Sequence, residues 1–350
     1  MAKGKIIAHF CGGAAANIAD HVMRVVADLG EGFSDVTFNY LDTSRANYDK
    51  LPDARGDLFL VVNKAYGSKT MEGSGGERSG KLGEIAANIP DYLNNKKFLK
   101  KEPDEYHMVV FSGSGGSGNT AGVLVTKELL KRSIPVFCVV VGDSSNAMFC
   151  INTLNTLATL NKFAIELGKP LSVIYYNNSN FFVDGLSAAE REVNKQLLVT
   201  LSAVSLFLSG ANGKLDNQDI INFIDQSHYR TISLKPGLYG LHVYSKDINL
   251  PEGATPTNAR ILTTEGQDFA LRADILHYKQ GVVDVANVFE TIKPDQFPLY
   301  FVTYSNFFAL EEKALKPQSE NYYNIADSIV NNQVTGSSRS SVDDETGMIL

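Results

Sequence analysis

The sequence lacks several features that mark common classes of protein. It has only three cysteines, and the spacing of Cys11, Cys138 and Cys150 matches no metal-binding motif. No apolar run reaches the roughly 18–20 residues of a membrane-spanning helix. The first residues, Met1 to Lys5, are expected to lead into a strand rather than to form a secretory signal. These features favour a protein of a reducing cytoplasm with no membrane partner.

The chain also lacks an excess of positive charge. Its 32 Lys and Arg against 39 Asp and Glu give a net charge of −7. A surface dedicated to nucleic acid needs a clustered basic face, so direct nucleic-acid binding is not expected. A length of 350 residues with 44% hydrophobic residues is sufficient for two domains that share one body.

No G-x-x-x-x-G-K-[ST] motif is present, so a P-loop nucleotide site is not expected. The chain does contain a different phosphate-binding pattern. The apolar strand ending at Phe111 is followed by the small-residue loop 113–118 and a helix predicted over Ala121 to Arg132. Such a loop lets backbone N–H groups approach an anion, and the helix N-terminus adds partial positive charge. The alternative interpretation is a flexible Gly/Ser linker.

A second strand, small-residue loop and helix lies at the start of the chain. Lys5 to Phe10 is predicted to be a strand, and the loop 11–17 leads into a helix that ends near Leu29. Further predicted strands at 36–41, 58–62, 136–141 and 171–176 also end in Gly, Ser, Asn or Asp. Six strands that alternate with helices predict a doubly wound parallel sheet, whose carboxyl edge binds the ligand.

The second half of the chain is less regular. A helix of about 33 Å is predicted over Ser187 to Leu208. A second, smaller mixed sheet is predicted beyond it, with strands at Tyr239 to Tyr244, Leu271 to Tyr278 and Leu299 to Tyr304. Two C-terminal helices are expected on either side of Pro317. The fold class is therefore α/β followed by an α+β part.

Two nucleotide sites are compatible with the central loop. The loop 113–118 fits the dinucleotide pattern G-x-G-x-x-G, with Asp143 as a possible ribose partner, which would indicate a nicotinamide-dependent oxidoreductase. That interpretation leaves unexplained the first small-residue loop, the glycine-rich segment 72–81, and the paired acids Asp216 and Asp219. A mononucleotide triphosphate held by several loops at strand ends explains more of the chain.

The whole layout resembles the tubulin/FtsZ superfamily of GTP-dependent filament proteins, most closely its bacteriophage members. The superfamily signature Gly-Gly-Gly-Thr-Gly-(Ser/Thr)-Gly is matched by Ser114, Gly115, Gly116, Ser117, Gly118, Asn119 and Thr120, with four mild substitutions. By the same resemblance, further residues of the strand-end loops are expected to bind GTP or GDP with Mg²⁺, and no protein metal ligand is expected. They are Gly12, Gly13 and Asn17, then Asp42, Ser44 and Arg45, then Gly75 and Gly76 at the γ-phosphate, Asp143 at the ribose, and Asn178 (or Asn177) and Asn194 at guanine.

The resemblance also assigns a role to the acidic loop after the long helix. In this superfamily the corresponding loop enters the next subunit's nucleotide site, and its acids position the attacking water. Asp216 and Asp219 are the matching residues, and a helix of ~33 Å separates them from their own nucleotide loops. Hydrolysis completed by a neighbouring subunit is therefore expected. The alternative is that one of the two aspartates only caps a helix over Ile220 to Asp225.

Such a site implies head-to-tail self-assembly into filaments. The resemblance divides the chain into a GTPase domain (1–186), a connecting helix (187–209), an activation-type domain with the acidic loop (210–305), and a C-terminal helix with an acidic tail (306–350). The tail, with Asp343 to Glu345 before Met348 to Leu350, is expected to pack on the neighbouring subunit or else to be a solvated tail. The filaments would position phage DNA or its compartment in the host bacterial cytoplasm. A nucleotide-binding protein that does not assemble remains a further alternative.

Overall fold

The computed structural model describes residues 3–350 except 72, 74, 76, 77, 79, 96, 97, 99, 182–185, 227–233, 285, 287, 289, 331–342, 344, 345, 347 and 350. The side chains of residues 186, 187 and 323–330 are also outside the description.

The first half of the chain alternates strands with helices, as the sequence predicts. Its strands are β1 (Lys5–Cys11), β2 (Asp35–Asp42), β3 (Asp57–Leu60), the short β4 (Val62–Asn63) and β5 (Lys69–Thr70), β6 (Glu105–Ser112), β7 (Val136–Gly142) and β8 (Pro170–Asn177). Its helices are α1 (Gly13–Ile18), which continues through the π-helical turn Ala19–Met23 into α2 (Arg24–Ala27), then α3 (Leu82–Asn95), α4 (Ser117–Lys131) and α5 (Ala147–Glu166).

The second half begins with the long helix α6 (Leu186–Leu208), whose 23 residues extend about 34 Å. It is followed by α7 (Asn217–Ile224), β9 (Gly237–Ser245), β10 (Pro256–Thr263), β11 (His277–Val282), β12 (Leu299–Tyr304) and α8 (Phe307–Val330). Among the described helices, none has both the length and the apolar character needed to cross a bilayer.

Ten of the strands form one sheet in the order β11-β10-β12-β9-β8-β7-β6-β1-β2-β3. The strands β9, β8, β7, β6, β1, β2 and β3, which are adjacent in this order, are all parallel to one another. Strand β12 runs antiparallel to both of its neighbours, β9 and β10. The predicted parallel sheet and the smaller mixed part are thus joined edge to edge through β8 and β9. This arrangement agrees with the predicted fold class.

Helices cover both faces of the sheet, which makes it doubly wound. One face packs against α1, α2, α6 and α7, with buried residues such as Val22 and Leu201. The other packs against α3, α4, α5 and α8, with buried residues such as Leu129 and Leu160. Because both faces are buried, the central strands are continuous apolar runs.

Three predicted elements were wrong. Pro317 lies within the single helix α8 rather than between two helices. Packing of Leu315, which is 1% exposed, holds this helix against the body and outweighs the loss of one backbone hydrogen bond. The segment predicted as a strand from Leu271 forms a turn from Arg272 to Ile275, and the strand β11 begins only at His277. The strand β10 is absent from the predicted set of strands.

Candidate functional site

Two adjoining cavities open at the carboxyl edge of the parallel strands. The first, of about 390 Å³, is lined mainly by the loops that follow β1, β2, β6 and β7. The second, of about 550 Å³, lies between α1 and the start of α6. Both are lined by Ala14, Ser112, Asn178 and Glu190, so they form one continuous cleft. We refer to the two parts as the loop cavity and the helix cavity.

Two helix N-termini point to the loop cavity. Gly12 is the N-cap of α1 and Gly116 is the N-cap of α4. A glycine has no side chain, so neither residue can cap the first N–H groups of its helix. The first N–H groups of a helix have no partner within the helix, and they carry the positive end of its dipole. The loop cavity is therefore suited to an anion such as a phosphate chain.

Backbone contact between the two glycine loops requires glycine at two positions. Gly12 has φ +82°, and a Cβ atom placed there would lie 2.6 Å from the Cα of Gly118. A Cβ atom on Gly118 would lie 2.6 Å from the carbonyl oxygen of Cys11. The loops after β1 and β6 therefore meet through bare backbone, which brings the two helix N-termini together.

The predicted signature residues divide into two groups. Residues 114–118, which include Ser114, Gly115, Gly116, Ser117 and Gly118, line the loop cavity, as do Gly12 and Gly13. Asn119 is fully buried, and its amide donates to the carbonyl oxygens of Gly113 and Gly115 at 3.1 and 2.7 Å. Asn119 thus stabilises the loop through its backbone carbonyls on the side away from the cavity, and residues 114–118 line the cavity.

The loop after β2 contributes part of its predicted set. Asp42 and Ser44 line the loop cavity together with Thr43, whose hydroxyl donates to Ser117 Oγ at 3.1 Å. Burial raises the pKa of Asp42, although hydrogen bonds from Thr43 oppose the shift. Arg45 instead pairs with Asp49 at 3.1 Å on the surface. The structure therefore does not bring Arg45 to the cavity.

The glycine-rich segment approaches the same cavity through Gly73, which lines it. Gly75 has φ +65°, a conformation that favours glycine, but it is not part of the lining. Gly76 lies outside the described residues. Arg78 turns inward, where it is 4% exposed, and donates to the hydroxyls of Thr156 and Thr159 on α5 at 2.9 and 2.8 Å.

Asp143 connects two loops of the cleft. Its carboxylate accepts from the N–H of Ser145 at 2.7 Å and from the hydroxyl of Ser179 at 3.2 Å. Asp143 also lines the loop cavity. The predicted ribose-side residue therefore joins the loop after β7 to the turn after β8.

Three asparagines line the helix cavity: Asn17 from α1, Asn178 from the turn after β8, and Asn194 from α6. The Oδ1 atom of Asn178 is buried and has no hydrogen-bond partner among the described residues. The neighbouring Asn177 accepts from the N–H of Ser179 at 3.0 Å and so supports the turn. Of the two residues left open by the sequence, Asn178 is the one that faces the cavity.

Several lining residues were missed by sequence reasoning. Phe149 at the start of α5 lines the loop cavity, and Glu190 near the start of α6 lines both cavities. Neither belongs to a loop that directly follows a strand, so no local motif marked them. Ser112, the last residue of β6, does have such a signal because it immediately precedes the glycine loop.

The acidic loop lies at the opposite edge of the sheet. Ser209 directly follows α6. Its carbonyl oxygen accepts a hydrogen bond from the N–H of Gly4, which lies just before β1. Asn217 hydrogen-bonds to Asp104, just before β6. The loop thus sits at the amino ends of strands whose carboxyl ends carry the cleft. The seven-residue strand β1 alone separates the two edges by roughly 20 Å.

The two aspartates of this loop have different surroundings. Asp216 is exposed and caps α7, because its carboxylate accepts from the N–H of Asp219 at 2.8 Å. Asp219 is 8% exposed and forms an ion pair with Lys279 on β11. Asp216 therefore does cap a helix, as the alternative interpretation expected. Its carboxylate is also exposed to solvent, so capping does not prevent a second role.

No cluster of three or more His, Cys, Asp or Glu side chains suited to a metal occurs among the described residues. The three cysteines are buried free thiols that form no disulfide, and burial raises the pKa of each thiol. They are accordingly small core residues.

Comparison with known proteins identifies the fold. No family model matches the chain. The phage tubulin-like protein of Pseudomonas phage 201phi2-1 is 25% identical over 310 residues, which are 82% of this chain and 88% of the relative. The protofilament structure of TubZ from bacteriophage PhiKZ superposes with a TM-score of 0.74 at 21% identity, covering 99% of both chains. The chain therefore has the tubulin/FtsZ fold and resembles the phage tubulin-like proteins in sequence.

A second phage structure is similar over the same length. The GDP complex of the phage tubulin PhuZ superposes with a TM-score of 0.72 at 21% identity, again covering 99% of both chains. The shared fold includes the large, mostly parallel sheet with helices on both faces and the smaller mixed part.

Proposed function

We propose that the chain is a tubulin-like GTPase that binds GTP and GDP in the cleft formed by the loop and helix cavities. The phosphates would lie against the N-termini of α1 and α4, where the positive ends of the two helix dipoles converge. The base would lie in the helix cavity against Asn178 and Asn194, since an amide can both donate to and accept from the guanine edge. The Oδ1 atom of Asn178, which has no partner in the described part of the chain, supports this assignment.

Filament formation is the second part of the proposal. The single observation that carries it is that the acidic loop and the cleft lie at opposite edges of the same sheet. A carboxylate at one edge has no access to a phosphate at the other edge of its own subunit. Stacking one subunit on the next, head to tail, brings the two edges together, and such a heterologous contact extends into a filament.

In that contact, Asp216 and Asp219 would orient the water that attacks the γ-phosphate of the neighbouring subunit's GTP. Carboxylates are suited to this role because phosphoryl transfer depends on positioning and charge more than on covalent chemistry. Mg²⁺ would neutralise phosphate charge when bound. With few carboxylates in the cleft, its ligands would be mainly phosphates and water, with Asp42 and Thr43 nearby.

The relatives support assembly and the choice of nucleotide. One similar structure is a TubZ protofilament and another is PhuZ with GDP. The oxidoreductase alternative is disfavoured because it leaves unexplained the loop after β1, whose Gly12 and Gly13 line the loop cavity beside residues 114–118. The cellular role proposed for the filaments is to position phage DNA or its compartment in the host cytoplasm, with the C-terminal tail contributing to contacts between subunits.

A complementation assay tests hydrolysis between subunits. One full-length variant, Asp216→Ala with Asp219→Ala, keeps the cleft and loses both acids. The other, Gly12→Ala, keeps the acids and distorts the contact between the glycine loops. Each variant alone is expected to release little phosphate from GTP. An equimolar mixture is expected to exceed the sum of the two rates, because the acids of one variant complete the cleft of the other.

Two controls make the assay decisive. Circular dichroism must show that both variants are folded, and fluorescent GTP must bind the acid-free variant but not Gly12→Ala. If the mixture only equals the sum, hydrolysis does not pass between subunits. If wild-type protein binds GTP but neither pellets nor scatters light with GTP, the non-assembling alternative is correct.

A further inference from the structure

Arg78 is a buried cation whose partners are all neutral. It belongs to the glycine-rich segment 72–81, yet only 4% of it is exposed. Its guanidinium donates to the hydroxyls of Thr156 and Thr159 at 2.9 and 2.8 Å and lies 3.5 Å from the carbonyl oxygen of Asn152, all on α5. In the described part of the chain no carboxylate pairs with Arg78, and its Nε atom has no hydrogen-bond partner.

A cation in such surroundings is costly to bury. Burial lowers the pKa of Arg78 to about 9, and no nearby charge contributes to the shift. Charges buried in proteins are normally paired, because neutral hydrogen bonds do not repay the loss of hydration. A glutamine could donate to the same hydroxyls without this cost. The arrangement is therefore typical of a site whose negative charge arrives with a ligand.

Arg78 lies directly behind the glycine loop that follows β6. The Thr156 hydroxyl, which accepts from Arg78, is 2.9 Å from the carbonyl oxygen of Gly113 at the start of this loop. The side-chain amide of Asn152 donates to the next carbonyl oxygen, that of Ser114, at 3.0 Å. The guanidinium is thus two short contacts away from a backbone segment whose residues line the loop cavity.

The main chain of Arg78 is attached to the same loop from the other side. Its carbonyl oxygen accepts from the hydroxyl of Thr120 on α4 at 3.1 Å. That hydroxyl is also 3.1 Å from the carbonyl oxygen of Gly116, the N-cap of α4. Contacts from α4 and from α5 therefore fix the position of the charge relative to the N-terminus of α4.

We propose that Arg78 is a positioning residue for the nucleotide phosphates: it acts from behind the glycine loop, and its buried charge raises phosphate affinity without touching the ligand. This inference rests on the proposed function, since the phosphates in the loop cavity supply the missing negative charge. Protein rather than water separates the two charges, so their attraction is screened less than that of an exposed arginine.

The competing explanation is that Arg78 only connects the glycine-rich segment to α5. Two substitutions separate charge from connection. Arg78→Gln keeps hydrogen-bond donors and removes the charge, whereas Arg78→Lys keeps the charge and loses the planar fork of donors. Full-length chains are titrated with fluorescent GTP at pH 6.5, where a buried lysine with a lowered pKa still carries its charge.

The two variants are expected to differ in affinity. Arg78→Gln is expected to bind GTP at least about ten-fold more weakly than wild type, and Arg78→Lys to stay within about three-fold. Arg132→Gln is the matched control, because Arg132 is exposed at the C-terminal end of α4 and its loss changes the net charge equally. Its affinity for GTP is expected to equal that of wild type.

Circular dichroism establishes which variants are folded. If Arg78→Gln does not fold, Arg78→Lys tests the same charge alone, because all the described groups that face this position from α4 and α5 are neutral and a buried lysine loses its proton as pH rises. Its affinity for GTP, relative to wild type at the same pH, is then expected to fall at least about five-fold between pH 6.5 and pH 9.

The outcomes distinguish this inference from the proposed function. If wild type does not bind GTP, the proposed function fails and the inference with it. If wild type binds GTP and Arg78→Gln binds it equally well, only the inference is overturned. It is also overturned if Arg78→Lys at pH 6.5 is as weak as Arg78→Gln, or if the ratio of Arg78→Lys to wild type does not change with pH, since connection rather than charge would then be responsible.

Discussion

Lys279 on β11 forms an ion pair with Asp219, the second aspartate of the acidic loop. The guanidinium of the buried Arg260 donates to the backbone carbonyl oxygen of Asp219 at 3.2 Å. Asp219 is therefore fixed at both its side chain and its backbone. Asp216, one turn earlier, is exposed and caps α7. The two acids thus combine one rigidly held carboxylate with one that faces solvent at the edge proposed to meet a neighbouring subunit.

The capping and catalytic roles of Asp216 can be separated by substitution. Asp216→Ser keeps a capping oxygen and removes the carboxylate, whereas Asp216→Ala removes both. We expect both variants to lose at least about 100-fold in GTP turnover, and only Asp216→Ala to lose about 1 kcal/mol of unfolding free energy. Phosphate release and urea denaturation measure the two effects. Full turnover in Asp216→Ser would show that the residue is only a cap.

The cleft predicts different results for two adjacent asparagines. Asn178→Ala removes an amide that faces the helix cavity, and we expect about ten-fold weaker GTP binding with little change in melting temperature. Asn177→Ala removes the support of the turn at Ser179, so its main effect is expected on melting temperature. Fluorescent GTP titration and thermal unfolding compare the two. The assignment fails if Asn177→Ala weakens binding more than Asn178→Ala does.

Buried histidines predict a loss of stability in mild acid. His9 hydrogen-bonds Tyr92 at 2.7 Å and His107 at 2.9 Å, all within the core. Burial lowers the pKa of His9, and it lowers the pKa of both His107 and His242 to about 4. Between about pH 4 and 6.5 the unfolded chain therefore binds more protons than the folded chain, and stability falls as pH falls.

The size of this effect can be assigned by substitution. His242→Gln removes one titrating group and is expected to reduce the slope of unfolding free energy against pH by up to about 1.4 kcal/mol per unit below pH 6.5. Urea denaturation at several pH values gives the slope. The exposed His21→Gln is the control. Identical slopes for the two variants would contradict a His242 that stays neutral in the folded chain.

Glu311 on α8 predicts the opposite dependence. Its burial raises the pKa to about 7, above the ordinary value of 4.5. The folded chain therefore holds a proton that the unfolded chain releases, and stability falls as pH rises from about 4.5 to about 7. Glu311→Gln is expected to raise the unfolding free energy by about 1–3 kcal/mol at pH 8 and to change it little at pH 5.

The adjacent Glu312→Gln is the matched control for Glu311→Gln. Both substitutions remove one carboxylate from neighbouring positions of the same helix, so they change the net charge equally. Chemical denaturation of both variants at pH 5 and pH 8 is sufficient. An equal gain in the two variants would mean that net charge, rather than the burial of Glu311, causes the effect.

Local sequence was sufficient for the parts of the cleft that depend on backbone. Residues 114–118 were predicted to surround phosphate because small residues between a strand and a helix leave N–H groups exposed, and they line the loop cavity. Polar side chains were less predictable. Arg45 pairs with Asp49, and Asn119 turns back onto its own loop. Each side chain has a partner only four to six residues away in the chain, and this local contact takes the place of a contact with the cavity.

The sequence by itself determined the alternation of strands and helices, because apolar periodicity and glycine placement are local properties. It also determined that loops suited to phosphate follow the strands. Only the tertiary structure decided that Phe149 and Glu190 join the cleft, that Lys279 pairs with Asp219, and that Arg78 is buried against α5. These contacts join residues distant in the chain, and their geometry depends on how the sheet and its helices pack.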